Sequence, residues 1–102
     1  MRLDQIPVSF QLGGRTIKIV IKNTLASQGL TGQALFESDE IHLQRNLAGV
    51  PISKSNLQIT MFHELMHFLY NFVGEETLGS NEKHVEMMAQ LLYQSLKTMT
   101  YK

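Results

Sequence analysis

The chain has 102 residues, and its nine basic and nine acidic side chains give a net charge of zero with neutral histidines. This balance argues against a dedicated nucleic-acid or polyanion binder, so we expect no direct nucleic-acid partner. The sequence has no cysteine, which excludes disulfides and thiolate zinc sites, so any metal must be held by histidine, aspartate or glutamate. A chain of this length can bury a single hydrophobic core, so we predict a single domain over residues 1–102.

The N-terminal stretch carries Asp4 and has no apolar run of signal-peptide length. No later stretch approaches the apolar length that crosses a membrane. We therefore expect a cytoplasmic protein that acts without a membrane partner.

Residues 7–23 alternate with period two on both sides of a Gly13-Gly14 pair, which predicts a β-hairpin with a two-glycine turn. In the second arm, isoleucines at 17, 19 and 21 alternate with residues 18, 20 and 22. One face of this arm should therefore belong to the core and the other should be largely wet.

The next stretches are shorter and less regular. Residues 24–32 contain two glycines and no clear period, which predicts a loop or a short helical turn. Residues 33–37 and 40–44 are two further strand candidates. The second alternates and places His42 opposite its apolar neighbours, where a solvent-facing histidine is expected in preference to one near a metal. Residues 46–54 predict a connecting loop.

The motif His63-Glu64-x-x-His67 lies within the apolar stretch T-M-F-H-E-L-M-H-F-L-Y-N-F, residues 60–72. Residues four apart on an α-helix lie on the same face, so the two imidazoles can converge on one ion. Glu64 then lies beside the metal, where its carboxylate can act as the general base on a water. Histidines that are hydrogen-bonded only to their neighbours are the competing interpretation.

The helix that carries this motif should be buried on nearly all sides. Between residues 57 and 73 the polar side chains after the first turn form a single stripe on an otherwise apolar surface. Two imidazoles and a carboxylate facing inward are costly without a partner, and a metal supplies that partner. Ser53, Ser55 and Asn56 are candidate N-caps, and Gly74 is suited to end the helix.

Residues 75–79 predict a short connection, and Ser80 or Asn81 should start a second helix. The apolar stripe of this helix comprises Val85, Met88, Ala89, Leu92 and Leu96. The stripe has helical spacing and should pack on the sheet or on the first helix. Together these elements predict an α+β fold, in which a small antiparallel or mixed sheet of about four strands packs on two helices.

A catalytic zinc usually takes three protein ligands, so a third ligand must come from another element than the motif helix. The candidates downstream are Glu75, Glu76, Glu82, His84 and Glu86. The first two follow the helix too closely to fold back on its middle. Glu82 stands in the first turn of the next helix, after a linker that can reverse the chain. Glu86 is one turn further on, where it can accept a hydrogen bond from a ligand imidazole.

The pair H-E-L-M-H and N-E-K-H-V-E resembles the gluzincin arrangement, in which a helix with H-E-x-x-H precedes one with N-E-x-x-x-D/E. More closely, residues 33–92 resemble small zinc metallopeptidases of the ImmA/IrrE type, often encoded by phages and mobile elements. That resemblance rests on a strand before the motif helix, on T-M-F-H-E-L-M-H, and on E-x-x-V-x-x-M-A-x-L-L. It implies a minimal zincin-like fold, with Glu82 as the third zinc ligand and Glu86 as the support of a ligand histidine.

These residues are compatible with two classes of function. The first is a zinc-dependent endopeptidase, in which Glu64 is the general base and later the proton donor to the leaving amine. The resemblance implies a protein or peptide substrate, such as a transcriptional repressor. The alternative is a zinc-binding regulatory or interaction module that keeps the scaffold and acts by binding a partner. A metal-free α+β domain is the third and least specific interpretation.

For an endopeptidase, a substrate strand should lie along a sheet edge beside the site, and residues 40–44 are the predicted edge. The group that stabilises the transition state is not assigned by the sequence. Its candidates are His42, Tyr70, His84 and Tyr93.

Overall fold

The computed structural model describes residues 5–101, and it confirms an α+β fold built from a four-stranded mixed sheet, a second small sheet and two long helices. The strands are β1 (Ser9–Leu12), β2 (Arg15–Lys22), β3 (Gly32–Leu35), β4 (Glu40–Gln44), β5 (Asn46–Leu47) and β6 (Val50–Pro51). The helices are α1 (Lys54–Val73), the short α2 (Glu76–Gly79) and α3 (Glu82–Thr98). A single 3-10 turn, Ala26–Gln28, lies in the predicted loop between β2 and β3. None of the helices in the described part of the chain is long and apolar enough to cross a membrane.

The main sheet has the strand order β1-β2-β4-β3. β1 and β2 form the predicted antiparallel hairpin, and its turn takes positive φ angles of 57° and 81° at Gly13 and Gly14, which glycine adopts without strain. β2 pairs in parallel with β4, whereas β3 pairs antiparallel with β4. β4 is therefore a central strand and the edges are β1 and β3, so the prediction of residues 40–44 as the substrate-binding edge is wrong.

The buried face of the sheet is lined by the isoleucines that alternate along β2 and by their partners on β4. The parallel register sets Ile19 beside Ile41 and Ile21 beside Leu43, and both β4 residues are fully buried. The helix α1 packs on β3 and β4 with one side and on α3 with another. Because it lies between the sheet and α3, residues 57–70 contain no exposed position, as the apolar pattern predicts.

Both ends of α1 are capped by residues that the sequence analysis names. The Ser53 side chain accepts a hydrogen bond from the Asn56 backbone N–H, and Gly74 ends the helix with a φ of 77°. The last turn differs from the prediction of burial, since Phe72 and Val73 are more than half exposed. Phe72 is covered on one side only, where its ring lies against Gly13 in the β1–β2 turn.

α3 begins at Glu82, with the Asn81 side chain accepting from the His84 N–H as its N-cap. The predicted connection before it is instead a short helix, α2. The predicted packing stripe is partly wrong, because Met88 is exposed and Tyr93 is buried against Phe62. The buried face of α3 consists of residues 85, 89 and 93, and α3 packs on α1, one of the two predicted partners.

Two further predictions, for His42 and for residues 46–54, are wrong. His42 is nine-tenths buried rather than solvent-facing, because strands pair on both sides of β4, and its Nε2 lies 2.7 Å from Glu40 Oε1. The stretch predicted as a loop, 46–54, contains the β5–β6 hairpin, whose turn has positive φ at Ala48 and Gly49. Strands of two residues are too short to show hydrophobic alternation.

Candidate metal centre

The two motif histidines lie side by side on α1, and their Nε2 atoms are 3.2 Å apart. The other ring nitrogen of His67, Nδ1, lies 2.8 Å from the carbonyl oxygen of Gly79 at the end of α2. A carbonyl oxygen only accepts, so Nδ1 carries the proton and Nε2 presents its lone pair. The short helix that the sequence did not predict therefore orients His67.

Glu82, the first residue of α3, closes the group from the opposite side. Its Oε2 lies 2.8 Å from His63 Nε2, and its Oε1 lies 3.0 Å from His67 Nε2. The two histidine side chains are 15% exposed, whereas Glu82 is two-thirds exposed at the mouth of the site. The structure thus brings together the three residues that the sequence analysis assigns as metal ligands.

The donor set fits a zinc ion. His63, His67 and Glu82 each offer one ligand atom, all within 4.8 Å of one another, and they form the one such group of three found in residues 5–101. Ligand atoms about 2.0–2.2 Å from a tetrahedral zinc lie roughly 3.3–3.5 Å apart, and the observed separations of 3.2, 2.8 and 3.0 Å lie slightly below that range. The lone pair of His67 Nε2 and the Glu82 carboxylate repel each other at this distance unless a cation or a proton lies between them.

Glu86 lies on α3 one turn beyond Glu82. Its Oε1 is 3.5 Å from His63 Nδ1, which is too long for a hydrogen bond, and both atoms are buried without a hydrogen-bond partner. A buried donor and a buried acceptor that face each other unpaired cost free energy. Glu86 lies where a carboxylate that orients a ligand histidine is expected. A small displacement would bring its Oε1 within hydrogen-bond distance of His63 Nδ1.

Glu64 is buried on α1 beside the ligand group, with 8% of its surface exposed. Burial raises the pKa of its carboxyl from 4.5 to about 7; His63 lowers this pKa, and Glu82 and Glu86 raise it. A carboxyl group with a pKa near neutrality can take up and release a proton under physiological conditions.

The place of Glu64 depends on Gly32, at the start of the edge strand β3. A β-carbon at this glycine would come within 2.5 Å of the Thr60 methyl group and 2.9 Å of Glu64 Oε2. Only a residue without a side chain fits there. The role of Gly32 cannot be read from the sequence, because nothing local distinguishes it from an ordinary loop glycine.

A cavity of about 230 Å³ opens onto the group and is lined by His63, Glu64, Glu82, Glu86 and residues 29–32, together with Thr60. The loop that forms its far wall is anchored by a buried side chain of β4. Gln44 Oε1 accepts hydrogen bonds from the backbone N–H groups of Leu25 and Ala26, at 2.8 and 3.2 Å. Gln44 Nε2 donates to the Asn46 carbonyl at 2.7 Å. The loop wall is therefore held by a polar residue that the sequence analysis did not single out.

The candidates for stabilising a transition state lie elsewhere. Tyr70 and His84 contact each other, with 2.6 Å between the phenol oxygen and Nε2. His42 is paired with Glu40, and Tyr93 is buried in the core. In the described part of the chain, none of the four candidates lines the cavity at the ligand group.

A comparison of the chain with protein-family models, curated proteins and solved structures gives no significant match. The likeness to ImmA/IrrE-type peptidases therefore rests on the motifs alone.

Proposed function

We propose that the protein is a zinc-dependent endopeptidase. The observation that carries the proposal is the convergence of His63, His67 and Glu82 on one point, with the buried carboxyl of Glu64 in the same cavity. Two ligands from one helix, a third from another element and an open side are typical of catalytic zinc sites. Cytoplasm is the proposed location, because there the enzyme would meet a protein substrate such as a transcriptional repressor.

In this proposal His63 and His67 bind the metal through Nε2 and Glu82 binds it through its carboxylate. Zinc held there would supply a Lewis acid that polarises the scissile carbonyl and lowers the pKa of a water toward neutrality. Glu64 takes the proton of that water and later gives it to the leaving amine. The Gly79 carbonyl orients His67 through Nδ1, and Glu86 would orient His63 through Nδ1 once the two atoms close to hydrogen-bond distance.

The edge strand β3 offers a place for the substrate backbone. Thr31 accepts a hydrogen bond from Gln44 N, and hydrogen-bonded pairs alternate along an antiparallel ladder. The N–H and C=O groups of Gly32 and Ala34 therefore point to the open side of the strand. Because Gly32 also lines the cavity at the ligand group, a peptide that extends the sheet there passes the metal.

The proposal is tested by incubating zinc-loaded protein with purified repressors and with a denatured protein, and by sequencing any new N-termini. We expect cleavage that stops on chelation and returns on adding zinc. Cleavage that persists with the metal removed would contradict the proposal, and so would the absence of cleavage in every substrate tested.

A second candidate function is a zinc-binding regulatory or interaction module. It is favoured by Met87 and Leu91, which lie four residues apart on α3 and are both more than half exposed. A module of this kind should form a stable complex with a partner without cleaving it, and exchanging both side chains for serine should break the complex. Glu64→Gln should leave that complex intact, which separates the two candidates.

A further inference from the structure

A second cavity, of about 530 Å³, lies between the β5–β6 hairpin and the first turns of α1. Its lining divides between six polar residues, which include Glu86, and five apolar ones: Leu47, Val50, Pro51, Ile52 and Ile59. The two hairpin residues, Leu47 and Val50, are 51% and 63% exposed on either side of a tight turn. Exposed aliphatic side chains that border a cavity are typical of a surface that binds an apolar group.

This cavity adjoins the cavity at the ligand group, because Thr31, Thr60 and Glu86 line both. A peptide whose scissile bond lies at the metal centre therefore places a neighbouring side chain at the hairpin. The cavity volume exceeds that of any single side chain, so a large side chain enters without displacing the wall.

The charges around the cavity restrict the side chain further. Glu86 is the one ionisable residue among the described residues that line this cavity. An acidic side chain would be desolvated beside the Glu86 carboxylate, which is unfavourable. An apolar side chain would bury aliphatic surface that is now exposed to water.

We propose that this cavity is the specificity pocket of the enzyme and that it binds a large apolar side chain of the substrate next to the scissile bond. The inference rests on the proposed endopeptidase function. It defines the substrate class as peptides with leucine, isoleucine, methionine or phenylalanine at one flanking position, and it excludes aspartate and glutamate there.

The test uses N-acylated amino-acid hydroxamates, whose two oxygens chelate zinc and so fix the adjacent side chain beside the metal. Affinities of the glycine, leucine, phenylalanine and aspartate compounds are measured on the zinc-loaded protein. We expect the leucine and phenylalanine compounds to bind about 10-fold or more tightly than the glycine compound, as burial of such a side chain implies. The aspartate compound should bind no more tightly than the glycine compound.

Two variants test whether the difference in hydroxamate affinity arises at this cavity. Val50→Arg places a cation at the cavity, and we expect the leucine-to-glycine affinity ratio to fall toward one while the aspartate compound gains affinity. Val8→Arg makes the same exchange at an exposed valine outside the lining, and the ratio should be retained. The ratio is taken within one variant, so a partial loss of folded protein does not imitate the result.

The outcomes separate this inference from the proposed function. Hydroxamates that all bind equally well overturn the specificity pocket and leave the endopeptidase proposal in place. A retained leucine preference, in a protein that cleaves no member of a random peptide mixture, supports the apolar pocket and contradicts hydrolysis. If no hydroxamate binds, both proposals are overturned. Cleavage of the mixture with apolar residues enriched at one flanking position supports both.

Discussion

Gly32 on the edge strand and Glu64 on α1 are in such close contact that a β-carbon at residue 32 would lie 2.9 Å from the Glu64 carboxylate. The contact joins the strand proposed to hold the substrate backbone to the helix that carries the proposed general base. The position of the base therefore depends on the smallest residue being present across from it.

We predict that Gly32→Ala displaces the Glu64 carboxylate while His63, His67 and Glu82 still bind zinc. A misplacement of about 1 Å can cost about 100-fold in rate, and we expect a loss of that order in peptide cleavage. Overpacking should also lower the free energy of unfolding by about 1–3 kcal/mol. Cleavage rates, zinc content and urea denaturation measure the three effects.

Gly14→Ala is the matched control for this prediction. It introduces a methyl group at a positive φ of 81° in the β1–β2 turn, with nothing within 4 Å to obstruct it. It should cost stability through backbone strain and leave the environment of Glu64 unchanged. Full activity in Gly32→Ala would show that the close contact does not position Glu64.

We predict about one zinc per chain in protein prepared with excess zinc. His63→Ala and His67→Ala should lose most of it, because each leaves only two protein ligands. His84→Ala removes a histidine that contacts Tyr70 and lies outside the ligand group, so it should keep the metal. Elemental analysis checks the stoichiometry, and substoichiometric zinc in the unmutated protein would contradict the assignment.

Glu82 and Glu86 should differ in their effects on zinc affinity. Glu82→Ala removes a carboxylate whose two oxygens approach one imidazole each, whereas Glu86→Ala removes only an acceptor 3.5 Å from His63 Nδ1. Loss of such a supporting group typically costs about 10 to 100-fold in affinity, and Glu82→Ala should cost more. Titration against a chromophoric chelator ranks the two variants, with Glu76→Ala as the control. A larger loss in Glu86→Ala would reverse the two roles.

The raised pKa of Glu64 predicts a pH dependence for the metal-free protein. Its pKa is 4.5 when unfolded and about 7 when folded, so the folded state binds the proton more tightly. The resulting stability is fully present below pH 4.5 and is lost as the pH rises through about 7, to a total of about 3 kcal/mol. Glu64→Gln has no titrating group at residue 64, so the free energy of unfolding of this variant should change less over this pH range. Equal pH dependence in both proteins would contradict the burial of an ionisable Glu64.

The elements that the sequence predicts correctly are those with local signals. The hairpin follows from alternation around Gly13-Gly14, and α1 follows from its apolar length between Ser53 and Gly74. The spacing of His63 and His67 on one helix face is also a local property. These parts of the fold and of the site need no knowledge of distant contacts.

The parts that the sequence does not predict depend on pairing between distant residues. Strand β4 lies inside the sheet because it pairs in parallel with β2, a strand distant in sequence. This pairing places His42 in the centre of the sheet. The need for glycine at residue 32 appears only when β3 lies against α1. A single polar or small residue such as His42 or Gly32 belongs to no periodic sequence pattern that would reveal its role.

The most direct test of the central claim compares zinc-loaded wild-type protein with zinc-loaded Glu64→Gln on one cleavable peptide. Glutamine keeps the shape of glutamate without its basicity, so the variant should keep the fold and about one zinc per chain. We predict that wild-type protein cleaves the peptide, that chelation stops the cleavage, and that Glu64→Gln does not cleave it. Full cleavage by Glu64→Gln, or none by zinc-loaded wild-type protein on any peptide, would contradict the account.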